Sequence, residues 1–406
     1  MSDPSTTAQS ESLAFKGLRV FDASQGLAGP QCAMLLAQHG AEVIKLEPPE
    51  GDWGRGVGKR YGDHSALAMA SNRGKRSLVI DMKKPGAQQV AAKIAQQCDV
   101  VIESFRPGVA DRIGLGYEAL RASNPNLIYL SVSGYGQQGP YAERPGTDTV
   151  IQAFSAMMAF NRDSQGQPNK IGFLVVDTLT SLYAFQAVST ALYARLSGAG
   201  GKRLDVSLMQ ASAAFLGLKV IEATLEGDHP KALNAPAGVY RTSDGYISVT
   251  LSKEIHYAGL CKALNRPDLL DDPRYANFEL RADNQPALAA EISKVLATDN
   301  SRNWISRIEE AGALASPVNT MTEWLADPHV VATQGASWVD LAQVGRIAVP
   351  AIPGVPTPQA GDRRGHFPGV GTEGIEVLRD FGFDEQQIDA LREAAVVLEP
   401  AGDSLG

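Results

Sequence analysis

Cysteine is scarce in this chain of 406 residues, which contains only Cys32, Cys98 and Cys261. Three scattered cysteines without a CxxC spacing indicate neither a disulfide framework nor a zinc site, and they suit a reducing compartment. The HExxH pattern of metalloproteases is absent as well. We therefore predict a cytoplasmic protein that holds no metal ion.

An excess of basic charge is also lacking. Lys and Arg number 37 against 45 Asp and Glu, a formal net charge of -8, which disfavours a protein that binds nucleic acid over a broad basic surface. The uncharged stretch 178–194 is interrupted by Ser, Thr and Gln and is a poor membrane span. Residues 1–12 have no basic region followed by an apolar one, so we predict a frayed tail and no signal peptide. We expect neither nucleic acid nor a membrane as a partner.

The first two hundred residues alternate short β-branched runs with helical patterns. A hydrophobic content of 44% is enough to bury a sizeable core, and such alternation is typical of a parallel sheet covered by helices. The fold class predicted is therefore α/β, with a doubly wound, Rossmann-like large domain. Its strands are predicted at 18–23, 42–46, 77–81, 100–105, 127–132 and 204–208.

The clearest long helix is predicted over 178–196, where apolar residues recur every three or four positions. Asp177 comes directly before it, so the pattern alone favours Asp177 as the N-cap. The positive end of a helix also favours an ionised carboxylate, which is the form that nucleophilic catalysis by Asp requires. The capping and catalytic interpretations are compatible and both stay open.

A second, smaller unit is predicted after the charged and Pro-containing segment 226–236. A hairpin is expected over 240–250, around Ser243-Asp244-Gly245, and three helices should follow, which is α+β in character. Two short strands within 336–358 and two helices near 372–380 and 384–395 close the chain. We predict a large domain built from 14–220 and 340–406, and a small domain at 237–325 joined by two linkers.

Basic residues are concentrated at and near the predicted strand ends. Arg73, Lys75 and Arg76 are clustered, and Lys45, Lys83 and Arg112 occupy similar positions. One interpretation is a solvated charged face. The other is a phosphate-binding rim, because ligands of α/β proteins usually bind at the carboxyl ends of parallel strands.

Ten groups of short motifs are distributed over residues 14–396. They are GLRVFD at 17–22, AGP at 28–30, GAEVIKLEP at 40–48, KRS at 75–77 with IDMK at 80–83, DVVIESFRPG at 99–108, DRIGLGY at 111–117, SVSGYGQ at 131–137, RPGTD at 144–148, YRTSDG at 240–245 and DPRY at 272–275. Together they resemble the class III CoA-transferase family, also described as the L-carnitine dehydratase/bile acid-inducible family, of formyl-CoA transferase type. No single motif carries the resemblance, so chance agreement is improbable.

The resemblance implies a catalytic role for Asp177. Its carboxylate would attack an acyl-CoA thioester, form an acyl-aspartyl anhydride, and then an aspartyl-CoA thioester from which an acceptor carboxylate takes the CoA. The CoA thioester would be a substrate, with no permanently bound cofactor. The family further implies an interlaced homodimer.

The resemblance also implies which residues contact CoA and substrate. Cationic side chains would bind phosphates, and Phe105 would offer an apolar face to adenine or pantetheine. The residues implied are Leu27, Ala28, Lys45, Ile80, Asp81, Met82, Lys83, Ser104, Phe105, Arg106, Arg112 and Asp148.

Two alternatives to CoA transfer are open. Related acyl-CoA racemases place a His before an Asp in the stretch that matches 145–148, whereas this chain has Thr147, which disfavours proton transfer at the α-carbon. The other alternative is a catalytically silent protein that binds CoA esters. Dicarboxylic acids are candidate substrates because Arg144 and other cations lie nearby in the sequence, although Arg144 could instead pair with Asp148.

Overall fold

The computed structural model describes residues 13–163, 165–228 and 230–400. The predicted tail, 1–12, lies outside the described residues. The chain forms two compact units, the first containing the described residues up to Gly217 and from Ser337 onward, and the second Leu218–Ala336. Residues 221–236 and 326–336, predicted as parts of linkers, belong to the second unit in this division.

The secondary structure of the described residues alternates strands and helices in the first unit and is mainly helical in the second. The strands are β1 (Arg19–Asp22), β2 (Glu42–Glu47), β3 (Arg60–Tyr61), β4 (His64–Ser65), β5 (Arg76–Ile80), β6 (Val100–Glu103), β7 (Ile128–Ser133), β8 (Lys202–Ser207), β9 (Gly238–Arg241), β10 (Tyr246–Thr250), β11 (Leu314–Pro317), β12 (Ala336–Leu341), β13 (Gly345–Pro350) and β14 (Val397–Leu398). The helices are α1 (Ala28–Gln38), α2 (Ala66–Asn72), α3 (Ala87–Ala95), α4 (Val109–Arg112), α5 (Tyr117–Ser123), α6 (Asp148–Phe154), α7 (Met157–Phe160), α8 (Val175–Leu196), α9 (Leu208–Phe215), α10 (Gly217–Glu226), α11 (Glu254–Ala263), α12 (Pro267–Asp271), α13 (Phe278–Asp283), α14 (Gln285–Leu296), α15 (Ser301–Glu310), α16 (Met321–Ala326), α17 (Pro328–Ala332), α18 (Gly374–Asp380) and α19 (Glu385–Glu393), with short 3-10 helices at Trp53–Gly56, Pro273–Tyr275 and Arg363–Gly365. Within the described ranges no single helix is long and apolar enough to cross a membrane, although α9 and α10 together match a span in length and composition.

A seven-stranded sheet in the order β14-β5-β2-β1-β6-β7-β8 forms the centre of the first unit. Its strands are parallel except for the short edge strand β14, which pairs antiparallel with β5. The chain leaves β1 towards β2 and β5, then returns to the other side of β1 at β6. This reversal is the topological switch point of a doubly wound sheet. The predicted Rossmann-like α/β fold is confirmed.

Both faces of this sheet are covered by helices, which explains the nearly continuous apolar runs of its strands. On one face, side chains of α1 and α8 such as Leu36 and Val188 pack with β1 and β7. On the other face, Ile94 of α3 and Leu378 of α18 pack with the alternate residues of the same strands. The helices thereby fix the strand ends at which a ligand site can form.

Helix α8 starts earlier than its periodicity predicts. It begins at Val175 with Leu174 as the N-cap residue, and Leu174 makes no capping hydrogen bond through its side chain. The prediction that Asp177 is the N-cap is therefore wrong, since Asp177 is the third residue of the helix. The first turn is capped instead by the carboxylate of Asp148, which is distant in the sequence.

The second unit contains a three-stranded antiparallel sheet in the order β11-β10-β9. The predicted hairpin is confirmed, with Tyr246 opposite Arg241 in its register. The third strand, β11, was not predicted. Helices α11, α14 and α15 contribute Leu260, Ile292 and Trp304 to a separate apolar core, so this unit has its own buried interior.

Candidate active site

A cavity of about 440 Å³ opens at the carboxyl ends of β1, β6 and β7. This is the switch point of the sheet, where open α/β folds bind their ligands. Asp177 lies in its wall together with several of the residues expected to contact CoA. The lining residues are Gln25, Leu27, Ala28, Gly29, Trp53, Ser104, Phe105, Arg106, Val109, Val132, Ser133, Gly134, Gly146, Thr147, Asp177 and Leu208.

The turn after β1 is held in place by hydrogen bonds to two other segments. The Gln25 amide donates to Ser104 Oγ at 2.9 Å, which ties the turn to the end of β6. Asp52 Oδ1 accepts from the amides of Gly26 at 2.9 Å and Gly54 at 2.8 Å. Since Gly26 has a φ of +86°, the turn needs a residue that tolerates the left-handed region.

The amino end of α1 points its first turn at this cavity. Leu27 is the N-cap residue and Ala28 and Gly29 are the first helical residues, all of them in the lining. Amides of a first helical turn have no acceptor inside the helix, and the helix dipole adds positive potential there. A Cβ at Gly29 would lie 2.5 Å from Ser24 Cβ, so glycine permits the close approach of helix and turn. The arrangement favours an anion that develops inside the cavity.

Asp177 lines the same cavity as these first residues of α1. Its side chain is half-buried, and among the residues that the structure describes none donates a hydrogen bond to its carboxylate oxygens. Burial, and to a smaller extent the charge of Asp148, raises the pKa of Asp177 to about 7. A carboxylate with this pKa is unusually basic when ionised and is ionised in part at neutral pH.

Asp148 lies behind the first turn of α8 and not in the cavity lining. Its side chain is only 3% exposed. Oδ2 accepts from the amides of Val176 and Asp177, and Oδ1 accepts from Gln152 Nε2 at 2.7 Å. Both oxygens thus accept hydrogen bonds from within the protein, and Asp148 is not among the residues that line the cavity.

Lys45 is buried beneath the site with none of its surface exposed. Its ammonium lies 2.8 Å from Asp52 Oδ2 and 3.8 Å from Asp22 Oδ2, and it also donates to the Ser24 carbonyl. A lysine enclosed in this way cannot reach a phosphate in the cavity. Lys45 therefore supports Asp52, which in turn holds the turn after β1.

Two other basic residues of this group, Lys75 and Arg76, are also buried. Lys75 Nζ lies 2.7 Å from Asp22 Oδ2, and burial lowers the pKa of Lys75 to about 8. Arg76 Nη1 lies 2.6 Å from both Glu42 Oε1 and Asp380 Oδ2. For these residues both sequence interpretations, a solvated face and a phosphate rim, are wrong, because their charges are paired inside the fold.

The remaining predicted CoA contacts lie outside the cavity lining. Ile80 is the buried last residue of β5, and Met82 packs against the same apolar cluster as Phe105. Asp81 is half-buried and Lys83 is exposed beyond it. Arg112 is the exposed last residue of α4. These positions occupy the carboxyl ends of β5 and β6 or the segments that follow them.

Sequence reasoning missed several lining residues, among them Gln25, Trp53 and Val132. Trp53 is 56% exposed, and its Cζ2 atom would lie 2.2 Å from a Cβ at Gly26, so the indole occupies the space that this glycine leaves free. A tryptophan inside the glycine-rich run 51–56 was the one available signal. No group of three or more His, Cys, Asp or Glu side chains in the described ranges is arranged to hold a metal ion.

Comparison with known proteins gives consistent results over most of the chain. The model of the family described as CoA-transferase family III matches residues 15–373. A succinate–glutarate CoA-transferase from Agrobacterium fabrum is 35% identical over 84% of this chain and 88% of its own length. An acetyl-CoA:oxalate CoA-transferase from Acetobacter aceti is 34% identical over 78% and 84% of the two chains.

Solved structures of similar proteins have the same architecture. A CAIB/BAIF family protein from Brucella suis superimposes with a TM-score of 0.78 at 29% identity, covering 91% of this chain and all of the other. The protein Rv3272 from Mycobacterium tuberculosis gives a TM-score of 0.77 at 30% identity over 89% and 98% of the two chains. The similarity therefore includes both compact units.

Proposed function

The chain belongs to CoA-transferase family III, and from this membership we propose that it transfers CoA from an acyl-CoA to a carboxylic acid with Asp177 as the nucleophile. The observation that carries the proposal is the position of Asp177. Its half-buried side chain lines a cavity at the sheet switch point, and the amino end of α1 lines the same cavity. The chain is an enzyme of this family.

The first half of the reaction transfers the acyl group to Asp177. A carboxylate oxygen attacks the thioester carbonyl carbon, the carbon–sulfur bond breaks, and an acyl-aspartyl anhydride and a CoA thiolate are formed. The thiolate then attacks the aspartyl carbonyl carbon of the anhydride. This step releases the donor acid as a carboxylate and leaves Asp177 joined to CoA as a thioester.

The second half repeats these steps with the acceptor. Its carboxylate attacks the aspartyl thioester, which gives a second anhydride and frees the thiolate again. Attack of the thiolate on the acceptor's carbonyl carbon produces the new acyl-CoA and restores the Asp177 carboxylate. The thioester bond energy is retained throughout, provided that water does not intercept an anhydride.

Two features of the site support nucleophilic attack by a carboxylate. The raised pKa of Asp177, about 7, makes its ionised form a stronger nucleophile than an ordinary carboxylate. The amides of Ala28 and Gly29 are free for an oxyanion, since a first helical turn lacks acceptors of its own. Attack moves negative charge from Asp177 to the carbonyl oxygen, which these amides can stabilise.

We place the thioester beside Leu27 and Ala28, and the pantetheine arm along Ser104, Phe105 and Arg106, because all five residues line the cavity. The nucleotide would extend towards the carboxyl end of β5 at Ile80–Lys83 and to Arg112. Lys45 and Asp148 are omitted from these contacts, since both are buried and paired inside the protein.

We further propose short dicarboxylic acids as substrates. Two similar proteins are named as transferases for succinate and glutarate and for oxalate. Arg106 lines the cavity, is exposed, and has no ion-pair partner among the described residues, so its guanidinium is free for a second carboxylate. Arg144 does not pair with Asp148; its guanidinium lies 3.8 Å above the Tyr141 ring.

A homodimer remains our prediction for the assembly. Helix α8 exposes large apolar side chains that a second copy would bury, with exposed fractions of 51% for Leu182, 74% for Tyr193 and 87% for Leu196. Exposed apolar clusters of this kind mark protein interfaces. Light scattering coupled to gel filtration should give the mass of a dimer, and a monomer at micromolar concentration would contradict this proposal.

The function is tested by trapping the acyl-enzyme. The protein is mixed with succinyl-CoA and then with hydroxylamine, and peptide mass spectrometry should find a hydroxamate at Asp177. Asp177→Ala should give neither the hydroxamate nor CoA exchange with glutarate. A wild-type protein that binds succinyl-CoA tightly without forming the hydroxamate would instead be a silent binding protein.

Racemisation is distinguished by its proton chemistry. None of the residues that line the described cavity is a histidine, and Thr147 stands where the related racemases carry one, so the histidine of their His–Asp pair for proton transfer has no counterpart there. We expect no deuterium from D2O at the α-carbon of 2-methylacyl-CoA. Wash-in of deuterium without an acceptor acid would favour the racemase alternative.

A further inference from the structure

A second cavity of about 790 Å³ lies in the first unit, away from Asp177. It is enclosed by the β12–β13 hairpin, by the segment 351–366, and by Gln38 and Arg73, and it shares no lining residue with the catalytic cavity. Helix α1 joins the two, with Ala28 in the catalytic wall and Gln38 in this one. The eleven residues of α1 separate these ends by about 16 Å.

Arg73 is a buried arginine without a partner. It is 8% exposed and lines the cavity, yet none of the described residues accepts a hydrogen bond from its guanidinium or pairs with its charge. Burial, together with the charge of Arg364, lowers the pKa of Arg73. None of the described residues compensates for the partial desolvation of this charge, and an anion bound in the cavity would do so.

Arg364, whose charge also affects the pKa of Arg73, is buried as well but has hydrogen-bond partners. It is 9% exposed, but its Nε donates to Asp362 Oδ2 at 2.8 Å and its Nη1 to the Pro356 carbonyl at 2.9 Å. The fold therefore provides partners for one of two adjacent buried arginines. Arg73 alone is left with its donors available to a ligand.

The backbone of Arg73 and Gly74 is held by two hydrogen bonds. Gln38 Nε2 donates to the Arg73 carbonyl at 3.4 Å as well as to the Arg364 carbonyl at 2.9 Å, and the Gly74 amide donates to the His366 carbonyl at 2.7 Å. These bonds fix the segment that carries Arg73 against the far wall of the cavity. A bound anion would meet a preformed donor group.

Most acids of the lining are already engaged. Glu373 Oε1 lies 2.7 Å from His366 Nε2, Asp362 is bound by Arg364, and Glu376 Oε2 lies 3.7 Å from Arg76 Nη2. Asp340 is the exception and is exposed. Arg363 is exposed in the lining without a described partner, so two free guanidinium groups face one free carboxylate.

Much of the remaining wall is apolar or aromatic, with Ser337, Thr357 and Gln359 as its polar members. Trp338 is 53% exposed, and Ile352, Val355, Pro350 and Pro356 complete this side. The Arg346 guanidinium carbon lies 5.0 Å from the centre of the Trp338 ring, a cation–π contact. Such a wall suits the flat or apolar part of a ligand whose charged end lies at Arg73.

We propose that this cavity is a second ligand site, which binds a small molecule through a phosphate or carboxylate group at Arg73 and packs its flat or apolar part against the Trp338 wall. The site is independent of the proposed CoA transfer, because it has its own residues and needs no reaction. A planar guanidinium binds either oxyanion through two parallel hydrogen bonds. Phosphate and carboxylate sources are separated by the experiment.

The test measures binding of inorganic phosphate, succinate and ADP to the full-length protein by calorimetry and by the shift of its thermal unfolding midpoint. Arg73→Met removes the proposed donor, and Arg73→Lys keeps the charge without the planar fork. Arg302→Met, an exposed residue of the second unit, is the matched control for loss of one arginine charge. Succinate and ADP could also enter the catalytic cavity, so the difference between wild type and the Arg73 variants is the readout.

We expect Arg73→Met to weaken the affinity for at least one of these anions about tenfold or more, Arg73→Lys to weaken it less, and Arg302→Met to leave it unchanged. Without anion, Arg73→Met should unfold at a higher temperature than wild type, because it removes an unpaired buried charge. A merely structural arginine would give the opposite sign. A preference for ADP over phosphate supports the apolar half of the site, and equal affinities would overturn that half.

Three results would overturn the site itself. The first is a wild-type protein that binds none of the three anions, as would happen if a second copy of the chain filled the cavity. The second is binding that persists undiminished in Arg73→Met. The third is a loss of oligomeric mass in Arg73→Met with no anion binding in wild type, which would assign Arg73 to a subunit contact.

Discussion

The carboxylate of Asp148 caps the helix that carries Asp177, since Asp148 Oδ2 accepts a hydrogen bond from the Asp177 amide at 3.1 Å and another from the Val176 amide at 2.7 Å. The same negative charge contributes to the raised pKa of the Asp177 side chain. One buried acid thus fixes the position of the proposed nucleophile and increases its basicity. This pair determines how the enzyme should respond to pH.

The rate of acyl transfer should rise with pH through the pKa of Asp177. Only the ionised carboxylate attacks, and its pKa in the free enzyme is about 7. We expect kcat/KM for the acyl-CoA to increase about tenfold per pH unit below 7 and to level off above. A profile that is flat between about pH 5.5 and 8.5 would show that this ionisation does not govern the reaction.

Asp148→Asn should shift this profile to lower pH. Loss of the neighbouring negative charge lowers the pKa of Asp177, but burial is the larger cause of the shift, so the pKa should not return to the ordinary value. The Asn side chain can still accept hydrogen bonds from the helix amides. Gln152→Leu is the matched control, because it removes a hydrogen-bond donor to Asp148 but keeps the negative charge of Asp148. In this variant the pH profile should not shift to lower pH.

Asp177→Asn should stabilise the protein at high pH while it abolishes transfer. The folded state holds the Asp177 proton more tightly than the unfolded state, so its contribution to stability is present below the unfolded pKa of about 4 and is lost as pH rises through about 7. We expect a gain of about 1 to 3 kcal/mol in the free energy of unfolding at pH 8, and a smaller difference at pH 5. Urea titrations at the two pH values measure it, and a variant less stable than wild type at pH 8 would contradict the buried, charged state of this side chain.

Lys45→Met should act on stability and not on CoA affinity. It leaves Asp52 and Asp22 without the ammonium that now lies between them, and breaking such a buried pair costs about 3 to 5 kcal/mol. Arg106→Met is the counterpart, because Arg106 is exposed in the cavity lining. It should raise KM for the acyl-CoA about tenfold with a change in stability below about 0.5 kcal/mol. A stable Lys45→Met protein with a raised KM would restore Lys45 to the CoA site.

Gly26→Ala should distort the turn that leads into α1. The backbone φ of +86° disfavours alanine, and the new Cβ would lie 2.2 Å from Trp53 Cζ2, so we expect a loss of about 1 to 3 kcal/mol in unfolding free energy. Adding Trp53→Ala should recover the steric part of this loss but not the part due to φ. Denaturation of the two single variants and the double variant measures the coupling, and strictly additive effects would show that indole and turn do not interact.

The order of elements in the first unit was readable because each strand and helix follows its own local period. All six strands predicted for the central sheet agree with the observed ones to within two residues at each end, as β2 (Glu42–Glu47) does against 42–46. The terminal strand β14 was not predicted, because a strand of two residues is too short to show an alternation of apolar and polar side chains. Helix α8 begins at Val175, three residues before the start that its periodicity predicts. Its first turn is capped by Asp148, which lies 29 positions from Asp177 in the sequence, so no local pattern indicates this start.

The sequence by itself determined the doubly wound sheet and the hairpin of the second unit, since alternation and turn residues are local patterns. The choice of Asp177 as nucleophile came from the family resemblance and stays a prediction. Only the tertiary structure decided which charges face a ligand. Lys75 pairs with Asp22, 53 positions away, and Lys45 is enclosed between two acids, whereas Arg73 in the same cluster has no described partner. A charge becomes internal or available through the neighbours that the fold brings to it, and the spacing of residues along the chain does not contain that information.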